Sequence, residues 1–441
     1  MPGKIRARDR DAVLQALRAG VVPRMGLEHI QVARENELRE LLREIDGIAD
    51  GGSGFRLVIG EYGSGKTFFL NLVRAMALSR QLVTARADLS ADRRLHSTSG
   101  QARAIYSELM STLATKTIPD GGGLPGIVER FVMSADAEAR KRSVDPEDVI
   151  KERLADLSEM VGGFDFASVI AAYWRAHCDG DAELSASALR WLRGEYSTRT
   201  EAREALGVRT VVTDQTIYDH LKLMGRFCRQ AGYAGLLVCL DELVSIYMLQ
   251  NAQARNGSYE QILRVLNDCI QGTAVGLGFL LAGTPEFLQD PRRGLSSHEA
   301  LRSRLAENAF AVNGLVDLSG PVIRLQNLTP EDVFVLLQKI RNVYASGDPE
   351  KYLLPDEALK AFMEHCSKHV GEAYFRTPRS TVKAFVDLLA IIDQNREADW
   401  HELIGGTKVN PDPAPDVSSP PPEETDSPEP TKDDDLASFR L

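Results

Sequence analysis

Gly60-Glu61-Tyr62-Gly63-Ser64-Gly65-Lys66-Thr67-Phe68 keeps the spacing G-x-x-x-x-G-K-[ST] at every fixed position. Glycines let such a loop turn so that successive backbone N–H groups face one point, and the helix that follows aims its positive end there. Phosphate is the group that such donors suit. Lys66 is then expected to reach the β- and γ-phosphates of ATP, and the Thr67 hydroxyl to hold Mg²⁺. This chemistry needs a strand before the loop and a helix after it, and both are legible. Phe55 to Ile59 is a short apolar run of strand type, entered through Gly51-Gly52-Ser53-Gly54. After the loop, Thr67 to Ala77 carries Phe68, Phe69, Leu72, Val73 and Met76 at helical spacing.

Working outward, Leu236 to Leu240 is a buried-type strand that ends in Asp241-Glu242. An acid there sits at the carboxyl edge of a sheet beside the phosphate loop, where Asp241 can orient Mg²⁺ and Glu242, one residue on, can polarise an attacking water. Leu82 to Leu89, Leu277 to Ala282 and Pro321 to Leu325 are further strands, and Tyr259 to Ile270 is a helix between two of them. Alternation of this kind predicts an α/β fold of the P-loop NTPase type, a parallel sheet with helices on both faces. Thr284, in Ala282-Gly283-Thr284-Pro285, stands at the same sheet edge; it suits either the γ-phosphate or an ordinary turn cap before the proline.

Thr67 and Asp241 are far further apart than the ~30 residues of one β-α-β unit. A helical insertion is therefore expected at about 95–215, its apolar periodicity clearest in Ile105 to Leu113, Val149 to Leu157 and Phe166 to Trp174. Residues 1–50 form an N-terminal helical segment, with helices at Asp11 to Leu17 and Glu35 to Ile48, and 51–325 form the ATPase core. Helices at Pro330 to Tyr344, Asp356 to His365 and Arg379 to Gln394 make 326–406 a helical lid. The remainder, 407–441, is acidic and proline-rich, with eight of the twenty prolines between Pro411 and Pro430, a composition that cannot bury enough apolar surface to fold. Its last residues include Leu436, Phe439 and Leu441, which read as a frayed terminus or as a short docking peptide.

Hydrophobic content of 43% and charged content of 26% are globular values, and they exclude collagen-like, wholly disordered and multi-span chains. Neither a membrane-length apolar run nor a signal-peptide core is present, so the cytoplasm is the expected compartment. Five separated cysteines fit reduced thiols rather than a disulfide framework or zinc site. The net charge is -11, but 411–441 carries nine acids against two bases, a balance of -7 that leaves -4 for the rest. Charge therefore neither supports nor excludes a DNA-binding face.

With these motifs in place, the chain resembles the AAA+ ATPases, nearest their origin-recognition and STAND-like branch. The resemblance implies that Lys66 and Thr67 match Walker A, Asp241 and Glu242 match Walker B, and Thr284 matches sensor 1. It places an arginine finger at Arg302 or Arg304, in Leu301-Arg-Ser-Arg-Leu305, and sensor 2 at Arg379, in Thr377-Pro-Arg379. More narrowly, the chain is similar to the P-loop proteins of bacteriophage-exclusion (BREX) gene clusters. The similarity rests on Leu17-Arg-Ala-Gly-Val-Val-Pro-Arg24, the phosphate loop, Gly232-Tyr-Ala-Gly-Leu-Leu237 and Gly283-Thr-Pro-Glu-Phe287. Before the loop, Val32-Ala33-Arg34-Glu35 stands where that pattern has Val-Gly-Arg-Glu. Implied are ATP and Mg²⁺ as cofactors, a homo-oligomer, partners among other defence proteins reached through the tail, and ATP turnover coupled to a DNA-directed or assembly step. The alternative is a nucleotide-dependent switch with negligible turnover.

Overall fold

The structure, a computed structural model, describes residues 4–311, 315–370 and 378–406. The expected tail, 407–441, lies outside the described residues, as does Thr377 beside Arg379. Five parallel strands form one sheet in the order β2-β3-β4-β1-β5: β1 is Ser53–Gly60, β2 Val83–Asp88, β3 Leu236–Asp241, β4 Leu277–Gly283 and β5 Val322–Leu325. The chain has the expected α/β architecture and a P-loop NTPase-like fold.

The central strands are buried on both faces, which is why they read as unbroken apolar runs rather than as alternating ones. Register pairs Ile59 with Gly283, Asp88 with Asp241 and Gly60 with Leu325. The carboxyl ends of all five strands therefore open on one edge, and this edge carries the site.

Pleating sends alternate residues to opposite faces. Leu57, Val238, Leu240, Phe279 and Leu281 point into one core, which they share with the helices between β2 and β3. These helices include Gln101–Ser111, Leu124–Arg142, Gly163–Asp179 and Ala182–Leu192. The inserted stretch thus covers one face of the sheet and shares its core, with Phe131, Phe166, Trp191 and Phe227 fully buried in it. On the opposite face, Val58, Leu237, Cys239, Leu280 and Ile323 pack against the helices Glu35–Ala49 and Lys66–Ser79.

A third core joins the C-terminal helices Pro330–Tyr344, Asp356–Val370 and Pro378–Gln394. The first helix, Ala7–Arg18, belongs to this core through Val13, whereas Glu35–Ala49 belongs to the sheet. Residues 1–50, read from the sequence as one segment, are therefore divided between two cores. Thr329 starts the helix Pro330–Tyr344 with a reciprocal cap, its hydroxyl taking the Asp332 N–H while the Asp332 carboxylate takes its own.

Candidate functional site

The phosphate loop begins where β1 stops. Gly63 and Gly65 take φ of 84° and 85°, left-handed conformations that a side chain would resist, and Gly65 is the residue before the helix Lys66–Ser79. The first N–H groups of that helix have no intrahelical acceptor. Lys66 Nζ folds back over the loop, donating to Gly60 O at 2.8 Å and Glu61 O at 2.9 Å. Burial lowers the Lys66 pKa, while Asp241, Glu242, Glu286 and Glu61 pull it back up. A half-buried ammonium that, among the described residues, bonds two carbonyls is poised to exchange them for phosphate oxygens, which repay its lost hydration far better.

Across from the loop, Thr67 Oγ1 donates to Asp241 Oδ2 at 2.7 Å, and Asp241 Oδ1 accepts the Glu242 N–H at 2.9 Å. Burial pushes the Asp241 carboxyl up, and the Thr67 and Glu242 hydrogen bonds oppose it. Glu242 is pushed up as well, first by burial and then by the neighbouring Asp241 charge. It adopts φ of 58°, a left-handed conformation rare for a side-chain-bearing residue. Backbone strain of this sort costs ~1–3 kcal/mol and gathers at functional sites. The hydroxyl of Thr67 and the carboxylate of Asp241 are hard oxygen donors, and this donor set fits Mg²⁺.

Thr284 follows β4 and lines the same cavity. Its hydroxyl accepts the Phe287 N–H at 3.4 Å, capping the short helix Pro285–Gln289. The turn cap expected before the proline is formed, and the position on the cavity leaves Thr284 within the site where the γ-phosphate reading put it. The cavity has a volume of about 430 Å³ and joins the loop to a largely apolar wall that includes Val22, Pro23, Ile30, Leu328 and Val382. Such a size and lining suit a nucleotide-sized ligand with a flat apolar part. Tyr62 and Phe68 flank the loop on the same cavity.

Arg379, exposed at the start of Pro378–Gln394, also lines the cavity and lies along Gly20. Arg302 and Arg304 are placed differently. They occupy the exposed end of the helix Glu299–Arg304, Arg304 Nη1 donating to Ala300 O at 3.2 Å, and neither lines the cavity of its own chain.

Two residues of the site carry no motif signal strong enough to assign them from sequence. Arg34 Nη2 donates to Ser64 O at 2.9 Å and to Gln326 O at 2.6 Å, so that it bridges the phosphate loop and the segment after β5. Asn327 Nδ2 donates to Glu61 Oε2 at 2.9 Å. Ala33 and Arg34 have φ of 54° and 65°, which explains the glycine of the Val-Gly-Arg-Glu pattern: the backbone turns left-handed there.

A phosphate loop between the first strand and helix of a parallel sheet, facing an acid at the end of the neighbouring-but-one strand, defines a P-loop NTPase-like protein. A family model described as BREX system ATP-binding protein BrxC/D matches residues 5–408. The chain belongs to this family, and membership supports a role in BREX phage defence with ATP binding. No curated protein matches the chain significantly. Among the described residues, no helix is long and apolar enough to cross a membrane.

Proposed function

We propose that the chain hydrolyses ATP as an AAA+-type ATPase, and that turnover drives a DNA-directed or assembly step in BREX defence. The contact that carries this reading is Thr67 Oγ1 to Asp241 Oδ2, which sets a hydroxyl and a carboxylate together beside the lysine of the phosphate loop. Lys66 and the first N–H groups of its helix bind the β- and γ-phosphates. Thr67 and Asp241 hold Mg²⁺, which screens charge on the phosphate oxygens when bound. Glu242 takes the proton of a water as that water's oxygen bonds to the γ-phosphorus; the bond to the bridging oxygen breaks, and ADP leaves with the electron pair. Thr284 orients the water or a γ-oxygen, and Arg379 reaches the nucleotide from the C-terminal helices. The exposed position of Arg302 and Arg304 suits a finger offered to the site of a second copy, in a homo-oligomer.

Steady-state phosphate release, with and without duplex or single-stranded DNA, tests this reading. Turnover separates an ATPase from a regulatory switch, and stimulation by DNA separates a DNA-directed step from assembly with other defence proteins.

A further inference from the structure

The phosphate loop is tied from outside to the segment that enters the C-terminal helices. Arg34 Nη2 alone spans Ser64 O and Gln326 O, and Asn327 adds a second tie to Glu61. Gln326 and Asn327 stand between β5 and Thr329, the cap of Pro330–Tyr344, so a displacement of either is passed to that helix. The same helix grips the chain just before Arg34, because Lys339 Nζ donates to Gln31 O. Two consecutive left-handed residues, Ala33 and Arg34, turn the backbone sharply where the arginine leaves it.

The loop end of this connection is sensitive to phosphate. Lys66 occupies Gly60 O and Glu61 O, and phosphate oxygens that draw Lys66 away release both carbonyls. The loop is then held on this side by its contacts from Arg34 and Asn327. A guanidinium is planar and its donors are fixed relative to one another, so it follows the Ser64 carbonyl rather than stretching from it. Gln326 O is on the same nitrogen. A ligand shifts an equilibrium only through contacts that differ between the two states, and these do.

We propose that Arg34 is a positioning residue that carries occupancy of the phosphate loop to the C-terminal helices, by holding Ser64 O and Gln326 O on one nitrogen. The proposal rests on the reading of the loop as an ATP site.

Hydrogen exchange of the full chain, followed by mass spectrometry with and without saturating ATP and Mg²⁺, tests it. In the wild type, ATP slows exchange both at 60–69 and at 326–344. Arg34→Met keeps the apolar stem and removes the donors. At saturating ATP it retains protection at 60–69 and loses the ATP-dependent part at 326–344 by about 5-fold or more, the lower range of ordinary coupling between sites. Undiminished protection at 326–344 overturns the proposal. So does exchange there that is faster by the same factor with and without ATP, the behaviour of a residue that merely supports the fold. Should Arg34→Met not fold, Arg34→Lys decides, since it keeps the charge but not the planar fork: reduced protection at 326–344 supports the role, and wild-type protection overturns it. Absence of ATP protection at 60–69 in the wild type would reject the nucleotide site itself, and the coupling with it.

Discussion

Thr67 Oγ1 and Asp241 Oδ2 meet at 2.7 Å although 174 positions separate them in the chain. The whole helical insertion lies between the two. Its helices leave this contact intact because they build on one face of the sheet, whereas the site is at the carboxyl edge. Loop and acid are therefore placed to act together.

Lys66→Ala is expected to weaken ATP binding by about 100-fold or more, as when charge-assisted bonds to phosphate are lost. Its ammonium bonds two loop carbonyls, so the circular dichroism spectrum should not change. Calorimetric titration with ATP checks this, and wild-type affinity would dismiss the loop as the binding site.

The acid limb of the pH–rate profile should lie above the ordinary glutamate range. Glu242 has its pKa raised from 4.5 by burial and by Asp241. The direction follows from which form works: only the carboxylate can accept the proton of water, and a raised pKa means this form is lost at a higher pH as acid is added. Rate measurements from pH 4 to 8 check it. A limb at or below the free glutamate value would show that Glu242 is not the titrating base.

Arg304→Ala should be inactive alone yet regain part of its activity when mixed with Lys66→Ala, with Arg302→Ala the weaker of the two arginine variants. A mixed interface would pair an intact phosphate loop with an intact arginine, and arginine fingers contribute ~10³ to 10⁵ in rate. Residues two apart on a helix do not share a face, so at most one of the pair would point at a neighbour's site. Full activity of Arg304→Ala alone, or no rescue in verified mixed oligomers, would rule this assignment out.

Ala33→Gly should stabilise the chain by roughly 0.5–1 kcal/mol, because relief of a left-handed alanine outweighs the extra freedom of glycine in the unfolded chain. Ala33 is exposed at φ 54°, so no packing is lost. The midpoint and slope of urea denaturation measure the change, and a lower stability would mean that the turn is not strained.

The strands were legible because burial on both faces writes itself as continuous apolar sequence. Leu236 to Leu240 and Leu277 to Ala282 are both strands, each one residue longer than its apolar run. Helix starts were harder to see. Tyr259 to Ile270 is the apolar part of a helix that begins at Ala252, where the Asn251 side chain accepts the Ala254 N–H, and the polar stretch containing Gly257 hides that first turn. The third core was legible only in its C-terminal helices, and the share that the first helix takes in it was not. It joins Val13 to Phe385, and periodicity on one helix does not say which distant helix covers its face. Lys66, Thr67 and Asp241, which the structure brings together, could be nominated from the sequence because phosphate chemistry fixes the spacing of the loop and the place of an acid at a strand end. Arg34 keeps the arginine of the Val-Gly-Arg-Glu pattern, but no spacing rule names its partners Ser64 O and Gln326 O, nor the bond from Asn327 to Glu61.

The most direct test of ATP hydrolysis at this site compares steady-state phosphate release by the wild type and by Glu242→Gln, with ATP binding of both verified by titration. Losing a positioned base should lower turnover by ~10²-fold or more while binding persists. Equal turnover in the two proteins, or no release by the wild type with or without DNA, would contradict it and leave a nucleotide-dependent switch.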